Sequence, residues 1–99
     1  MAKLVAMYKK PADAAAFDAH YFSTHVPKAK ILRRYEVSTG PVALPSGESA
    51  YHLIALLEFD SLAAIQAGLG SPEGQATAGD LANFAQAGVD LLMFDTKEV

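Results

Sequence analysis

The chain has 99 residues, of which 52% are hydrophobic and 19% charged, and it contains no cysteine. A chain of this length builds one hydrophobic core, so we expect a single domain over residues 1–99. Eight basic and eleven acidic residues give a net charge of −3, which does not favour a nucleic-acid partner. The lack of cysteine excludes disulfides, thiolate metal sites and a cysteine nucleophile.

The first apolar run covers residues 3–8 and contains Val, Met and Tyr, which predicts a buried strand. It is far shorter than the roughly 20 residues that a membrane span needs. Lys9 and Lys10 follow it directly instead of a signal-peptide cleavage site. We therefore expect a cytoplasmic protein without a membrane partner.

A helix is predicted to begin after Asp13, whose carboxylate can accept the free amide hydrogens of the first turn. Pro27 ends or breaks this helix, although residues 28–32 could add one further turn. At 100° per residue, one face of the helix carries a predicted buried stripe of Ala14, Phe17, Tyr21 and His25.

The remaining sequence predicts three more strands and a broken second helix. The strands are residues 33–39, 50–59 and 89–94, and a loop rich in Pro, Gly and Ser separates the first two. Asp60 or Ser61 is expected to cap a helix over residues 62–69, and Ser71, followed by Pro72, to cap a segment that ends near Gln86. The order βαββαβ predicts a ferredoxin-like α+β sandwich, with both helices on one face of a four-stranded antiparallel sheet.

Both faces of the strand over residues 50–59 are largely apolar, whereas a solvated face would be polar. We place one set of its side chains beneath the helices: Tyr51, Leu53, Ala55, Leu57 and Phe59. The other set is placed on the open face: His52, Ile54, Leu56 and Glu58. That face has an area on the order of 300 Å², comparable to the largest apolar patch of a typical monomer. We therefore predict a homodimer that pairs through the open sheet face.

Two stretches of the chain resemble the EthD family, small proteins named for ethyl tert-butyl ether degradation. The first joins Tyr8-Lys9-Lys10-Pro11 to an aromatic-rich helix that ends in His25-Val26-Pro27, and the second is Leu56-Leu57-Glu58-Phe59-Asp60-Ser61-Leu62. The resemblance implies a dimeric α/β barrel, in which two ferredoxin-like subunits enclose a cavity between their sheets. It also implies a grouping with oxidoreductases, through a link to an ether-cleaving monooxygenase system. Haem-degrading relatives in the same superfamily rely on a Trp, which this chain lacks.

Two histidines are candidate catalytic residues, because an imidazole titrates near neutral pH. His25 could act as a general acid or base at the end of the first helix, or it could cap the carbonyls that Pro27 leaves free. His52 could orient or deprotonate a small apolar substrate in the dimer cavity. Alternatively, it could form a hydrogen bond to a loop or a hydrogen bond across the dimer interface. His20 is predicted to point about 140° away from His25, so we expect no two-histidine metal site on this helix.

The candidate pocket residues fall into two groups. Tyr8, Arg33 and Tyr35 lie at strand ends or on the edge strand, where a pocket mouth is expected. The others share the open face with His52 and are Ile54, Leu56 and Glu58. Glu58 is also a candidate ion-pair partner of Arg33 or Arg34 across the dimer interface.

The chain has no recognisable metal, phosphate or dinucleotide motif, so we expect no metal and no cofactor. One hypothesis is a small homodimeric oxidoreductase without a cofactor, or an auxiliary of an oxidative pathway of the ether-degradation type, acting on a small apolar molecule. The alternatives are a cofactor-free isomerase or cyclase, and a non-catalytic partner that binds or stabilises an oxygenase.

Overall fold

The computed structural model describes residues 1–28 and 33–99. In chain order its elements are β1 (Ala2–Lys9), α1 (Ala14–His20), a π-helical turn (Tyr21–His25), a 3₁₀ turn (Val26–Lys28), β2 (Arg34–Val37), β3 (Ala43–Leu44), β4 (Gly47–Glu48), β5 (Tyr51–Phe59), α2 (Leu62–Gly70), α3 (Pro72–Phe84) and β6 (Val89–Asp95). Four strands form an antiparallel sheet in the order β2-β5-β1-β6. The short strands β3 and β4 pair with each other as a hairpin, in a segment that the sequence predicts as loop.

The helix starts follow the predicted caps. Asp13 accepts a hydrogen bond from the backbone of Ala16, Ser61 caps α2 through Ala64, and Ser71 caps α3 through Gly74. The predicted break between α2 and α3 is confirmed, and α3 ends at Phe84, two residues before the predicted end. Of the further turn predicted over residues 28–32, all but Lys28 lies outside the described residues.

One face of the sheet packs against the helices and forms the core. The buried side chains of β1 alternate along the strand and are Ala2, Leu4, Ala6 and Tyr8. On the same side, β5 contributes the buried Leu53 and Ala55. The helices cover these strands with Phe17, Tyr21, Ile65 and Phe84. The predicted placement of the helices on one face of a four-stranded antiparallel sheet is confirmed.

A β-bulge at the start of β5 changes which side chains face the helices. Tyr8 pairs with Leu53 but Lys9 pairs with Tyr51, so His52 is an extra residue in the ladder. The imidazole of His52 consequently packs against Phe17 of α1, with 5.0 Å between ring centroids. The predicted positions of Tyr51 beneath the helices and His52 on the open face are therefore wrong, because counting by twos fails across a bulge.

The opposite face of the sheet is apolar along its middle. Its side chains, which alternate with the buried ones, include Val5, Met7, Ile54, Leu56, Leu92 and Phe94. Leu92 keeps 49% and Phe94 41% of its surface exposed. In the described part of the chain no helix packs on this face. None of the helices in this described part is long and apolar enough to cross a bilayer.

Candidate active site

A change of helix geometry brings two histidines to the same side of the first helical region. After His20 the chain continues as a π-helical turn, in which Val26 N donates to Tyr21 O. In a turn that closes from residue i to i+5, residues five apart lie on one face. His20 and His25 therefore both reach α3, and the predicted separation of about 140° is wrong because it assumed an unbroken α-helix.

The residue that both histidines contact is Asp80 of α3. His20 Nε2 lies 2.8 Å from Asp80 Oδ1, and His25 Nδ1 lies 3.0 Å from Asp80 Oδ2. Asn83 Nδ2 also donates to Oδ1, at 3.0 Å. Burial by itself raises the pKa of Asp80, but the hydrogen bonds from Asn83, His20 and His25 outweigh it and lower the pKa to about 2. The Asp80 carboxylate is therefore ionised at neutral pH.

Asp80 does not stand out in the sequence as a site residue. It lies four residues before Phe84, which places both side chains on the same face of α3, and this spacing is the one available signal. A lone aspartate in a helix is equally compatible with a solvated face. Only the packing of α3 against the first helical region identifies its partners.

His25 is held in one orientation at the base of this cluster. Only 5% of its surface is exposed, and its ring lies against Tyr21 and Phe84 at centroid distances of 5.4 and 4.7 Å. An anionic carboxylate at Nδ1 favours the tautomer that carries its hydrogen there, which leaves Nε2 as the basic nitrogen. An Asp–His pair of this kind is a general base whose cation the aspartate stabilises.

A cavity of about 740 Å³ lies between the helix-facing side of the sheet and α2 and α3. His25 lines it together with Tyr8, Arg33 and Tyr35, three residues that the sequence analysis placed at a pocket mouth. Its walls are otherwise largely apolar and include Leu4, Ala6, Leu57, Phe59, Ala64 and Leu81. The volume is within the range of small-molecule sites.

Tyr8 and Tyr35 line the cavity near His25, and the fully buried Tyr21 contacts both of them. The hydroxyls of Tyr21 and Tyr35 are hydrogen-bonded to each other at 2.5 Å. The ring of Tyr8 packs edge-on against Tyr21, with 5.5 Å between centroids. Burial is the main cause that raises the pKa values of all three phenols above their ordinary value. At neutral pH this end of the cavity therefore offers uncharged hydroxyl groups.

The charged candidates lie farther out. Arg33 Nη1 forms an ion pair with Asp60 Oδ1 at 2.8 Å; both residues line the cavity and are more than half exposed. Glu58 pairs with Lys3 at 3.4 Å on the open face. This contact lies within one subunit, so the pairing of Glu58 with Arg33 or Arg34 across a dimer interface stays a prediction. Ile54 and Leu56 occupy the same face as Glu58, so the structure separates all three from His25.

His52 also has a carboxylate partner, but it lies outside the cavity. Its Nε2 atom is 2.8 Å from Asp18 Oδ1. The two residues border a separate surface pocket that also includes the exposed Phe22. The structure thus does not bring His25 and His52 into one site. Across residues 1–28 and 33–99, no three His, Asp or Glu side chains are grouped so that they could hold a metal ion.

The chain is similar to proteins of one family over most of its length. The family model described as the EthD domain matches residues 9–88. An uncharacterised 11.0 kDa protein from the thcB–thcC intergenic region of Rhodococcus erythropolis is 40% identical over 102 residues. That match covers 100% of this chain and 98% of the relative.

Solved structures confirm the fold. An EthD family protein from Bacillus halodurans C-125 is 36% identical and has a TM-score of 0.88, with 98% of this chain and 99% of that chain covered. A dimeric protein of unknown function and ferredoxin-like fold from Bacteroides fragilis NCTC 9343 is 19% identical. Its TM-score is 0.63, and 96% of this chain and 95% of that chain are covered. The predicted ferredoxin-like architecture is therefore confirmed.

Proposed function

The chain belongs to the EthD family, and we propose that it is an acid–base enzyme acting on a small, largely apolar molecule in the helix-side cavity. The observation that carries this proposal is the His25–Asp80 pair beside that cavity. The apolar walls would hold the body of the molecule, and the polar end would receive its reactive group.

The proposed chemical step is removal of a proton from a carbon next to a carbonyl group. The C–H bond breaks and its proton bonds to Nε2 of His25. The electron pair of that bond forms a carbon–carbon double bond, and the π pair of the carbonyl moves onto the oxygen to give an enolate. Asp80 stabilises the resulting imidazolium. If the proton returns at another position, the reaction is an isomerisation. If the enolate carbon attacks a second carbonyl of the same molecule, the reaction is a cyclisation. Oxidation of the enolate by dioxygen, as a second substrate, gives the cofactor-free oxidoreductase of an oxidative pathway.

Deuterium exchange tests this step without knowledge of the natural substrate. The probe is 2-tetralone, an apolar ketone with acidic C–H bonds, incubated with the protein in D₂O and followed by NMR. We expect the wild-type protein to accelerate exchange above the same concentration of free imidazole. Substitution His25→Gln should reduce the protein-dependent rate by a factor of roughly 10² to 10⁴, the usual contribution of a positioned general base.

His52→Gln is the matched control for this experiment. It removes a histidine that also contacts a carboxylate, at 2.8 Å against 3.0 Å for His25, but that lies outside the cavity. The exchange rate should therefore remain at the wild-type value. Thermal melting of both variants separates loss of the base from loss of the fold. Wild-type exchange no faster than with imidazole, together with binding of the ketone, would instead support the non-catalytic binding partner.

We also propose that two copies of the chain pair through the open sheet face. The apolar strip through Leu92 and Leu56 supports this, and Lys3, Glu58 and Asp90 give it a polar margin. The Bacteroides fragilis protein of the same fold is dimeric. In this arrangement each subunit keeps its own helix-side cavity, because the sheet separates that cavity from the paired faces.

A further inference from the structure

The hydroxyl of Tyr8 lies at the wall of the cavity. Tyr8 is 3% exposed, and its ring is enclosed by Phe17, Tyr21 and Phe84. No residue among those described hydrogen-bonds to its hydroxyl, whereas every fully enclosed side-chain nitrogen or oxygen in the same set has a partner. The Tyr8 hydroxyl must therefore lie against the cavity space, in agreement with its place in the cavity wall.

Tyr8 differs in this respect from the other phenols. The hydroxyls of Tyr21 and Tyr35 satisfy each other, and the hydroxyl of Tyr51 donates to Asp90 on the far side of the sheet. The Tyr8 hydroxyl is instead available to a molecule in the cavity, because it borders that space. Its position beside a ligand-sized cavity is explained if a bound molecule supplies the missing partner.

The surroundings make Tyr8 a hydrogen-bond donor and not a base. Burial raises the pKa of Tyr8 far above its ordinary value, and the nearby Tyr35 and Asp80 raise it further. The phenol therefore keeps its proton at any physiological pH. The negative charge of Asp80 and the apolar walls also disfavour a ligand that arrives as an anion.

We propose that the Tyr8 hydroxyl donates a hydrogen bond to the oxygen of the ligand, and that the ligand is an apolar ring compound with a ketone or phenol oxygen. This inference rests on the proposed function, since that oxygen is the atom that gains charge when His25 removes the neighbouring proton. A fixed donor aimed at a developing oxyanion lowers the barrier to proton removal.

The test compares two probes of the same shape, 2-tetralone and tetralin, which differ in the carbonyl oxygen. We expect Tyr8→Phe to bind 2-tetralone roughly five- to tenfold more weakly than the wild type, because one hydrogen bond to the ligand is lost. The same variant should bind tetralin with wild-type affinity. Its melting temperature should equal or exceed that of the wild type, because the removed hydroxyl has no hydrogen-bond partner among residues 1–28 and 33–99. Deuterium exchange into 2-tetralone should slow in the same variant.

Tyr51→Phe is the control, because it removes a hydroxyl from the opposite face of the sheet and should change neither affinity. Unchanged 2-tetralone affinity and exchange rate in Tyr8→Phe would overturn the role of Tyr8 and leave the proposed function intact. A wild-type exchange rate in His25→Gln would instead refute the proposed function. In that case, the ratio of 2-tetralone to tetralin affinity in Tyr8→Phe would still decide whether Tyr8 binds the oxygen.

Discussion

At the scale of single residues, Asp80 connects the most groups in the candidate site. It joins His20, which is partly exposed, to His25, which is buried beside the cavity. Its carboxylate therefore orients the ring of His25. Removing the charge should affect stability as well as proton transfer, because two imidazoles and one amide donate to this carboxylate.

The lowered pKa of Asp80 predicts a dependence of stability on pH. The unfolded chain binds a proton at this residue near pH 3.8, and the folded chain only near pH 2. Between these values the unfolded state holds more protons, so the free energy of unfolding rises with pH through this window. The contribution is fully present above about pH 4 and is lost as the pH falls through 2.

Solvent screens part of the interaction, so we expect the ionised Asp80 to contribute about 1 to 2 kcal/mol to the free energy of unfolding. Urea unfolding of the wild type and of Asp80→Asn between pH 2 and pH 6 measures it. The stability difference between the two proteins should widen from pH 2 to pH 4 and then level off. A difference that stays constant over the whole range would show that the Asp80 charge does not stabilise the fold.

At the scale of secondary-structure elements, the break between α2 and α3 shapes one wall of the cavity. Ser71 both donates to Gly68 O and accepts from Gly74 N, so it ends one helix and starts the next. The two helices approach closely at this point, because a Cβ atom on Gly74 would lie only 1.9 Å from Gly68 O. Glycine at position 74 is thus a packing requirement.

Two alanine substitutions in α3 test this requirement. Gly74→Ala should destabilise the protein by roughly 1 to 3 kcal/mol, because backbone atoms of α2 must move away. Gly79→Ala places its Cβ where no atom lies within 4 Å, and it should stabilise the helix by about 0.5 to 1 kcal/mol. Chemical denaturation of both variants measures the two effects. Equal stabilities would contradict the close approach of α2 and α3.

At the scale of the whole molecule, the sheet separates two apolar regions with different proposed roles. One side forms the core and the cavity, and the other carries the strip that we propose as the dimer interface. Leu92 belongs to this strip and lies on the edge strand β6, opposite Val5 in the ladder. A charge at this position should prevent pairing, because it would be buried without a partner.

Light scattering at micromolar concentration tests the dimer. We expect the mass of two chains for the wild type and of one chain for Leu92→Lys. Leu44→Lys is the control, since Leu44 lies on the β3–β4 hairpin and is about as exposed, 52% against 49%. It should leave the dimer intact. A monomeric wild type would contradict pairing through the open face but would leave the helix-side cavity of each subunit unchanged.

The features that depend on near neighbours in the chain can be predicted from the amino-acid sequence. The caps at Asp13, Ser61 and Ser71, the order of strands and helices and the apolar open face follow from local hydrogen bonding and side-chain periodicity. The EthD resemblance also identified the family. Tyr8, Arg33 and Tyr35 are predicted from their strand-end positions to border a pocket, and all three line the helix-side cavity.

The directions of the histidine side chains depend instead on contacts between distant parts of the chain. A bulge at His52 and a π-helical turn before Val26 each shift the chain by one residue relative to a regular element. Such shifts are stabilised by partners distant in the sequence, here Asp18 for His52 and Asp80 for His25. Side-chain periodicity assumes regular helices and strands, so it cannot detect these one-residue shifts. For this reason it assigned His52 to the wrong face, separated His20 from His25 and missed Asp80.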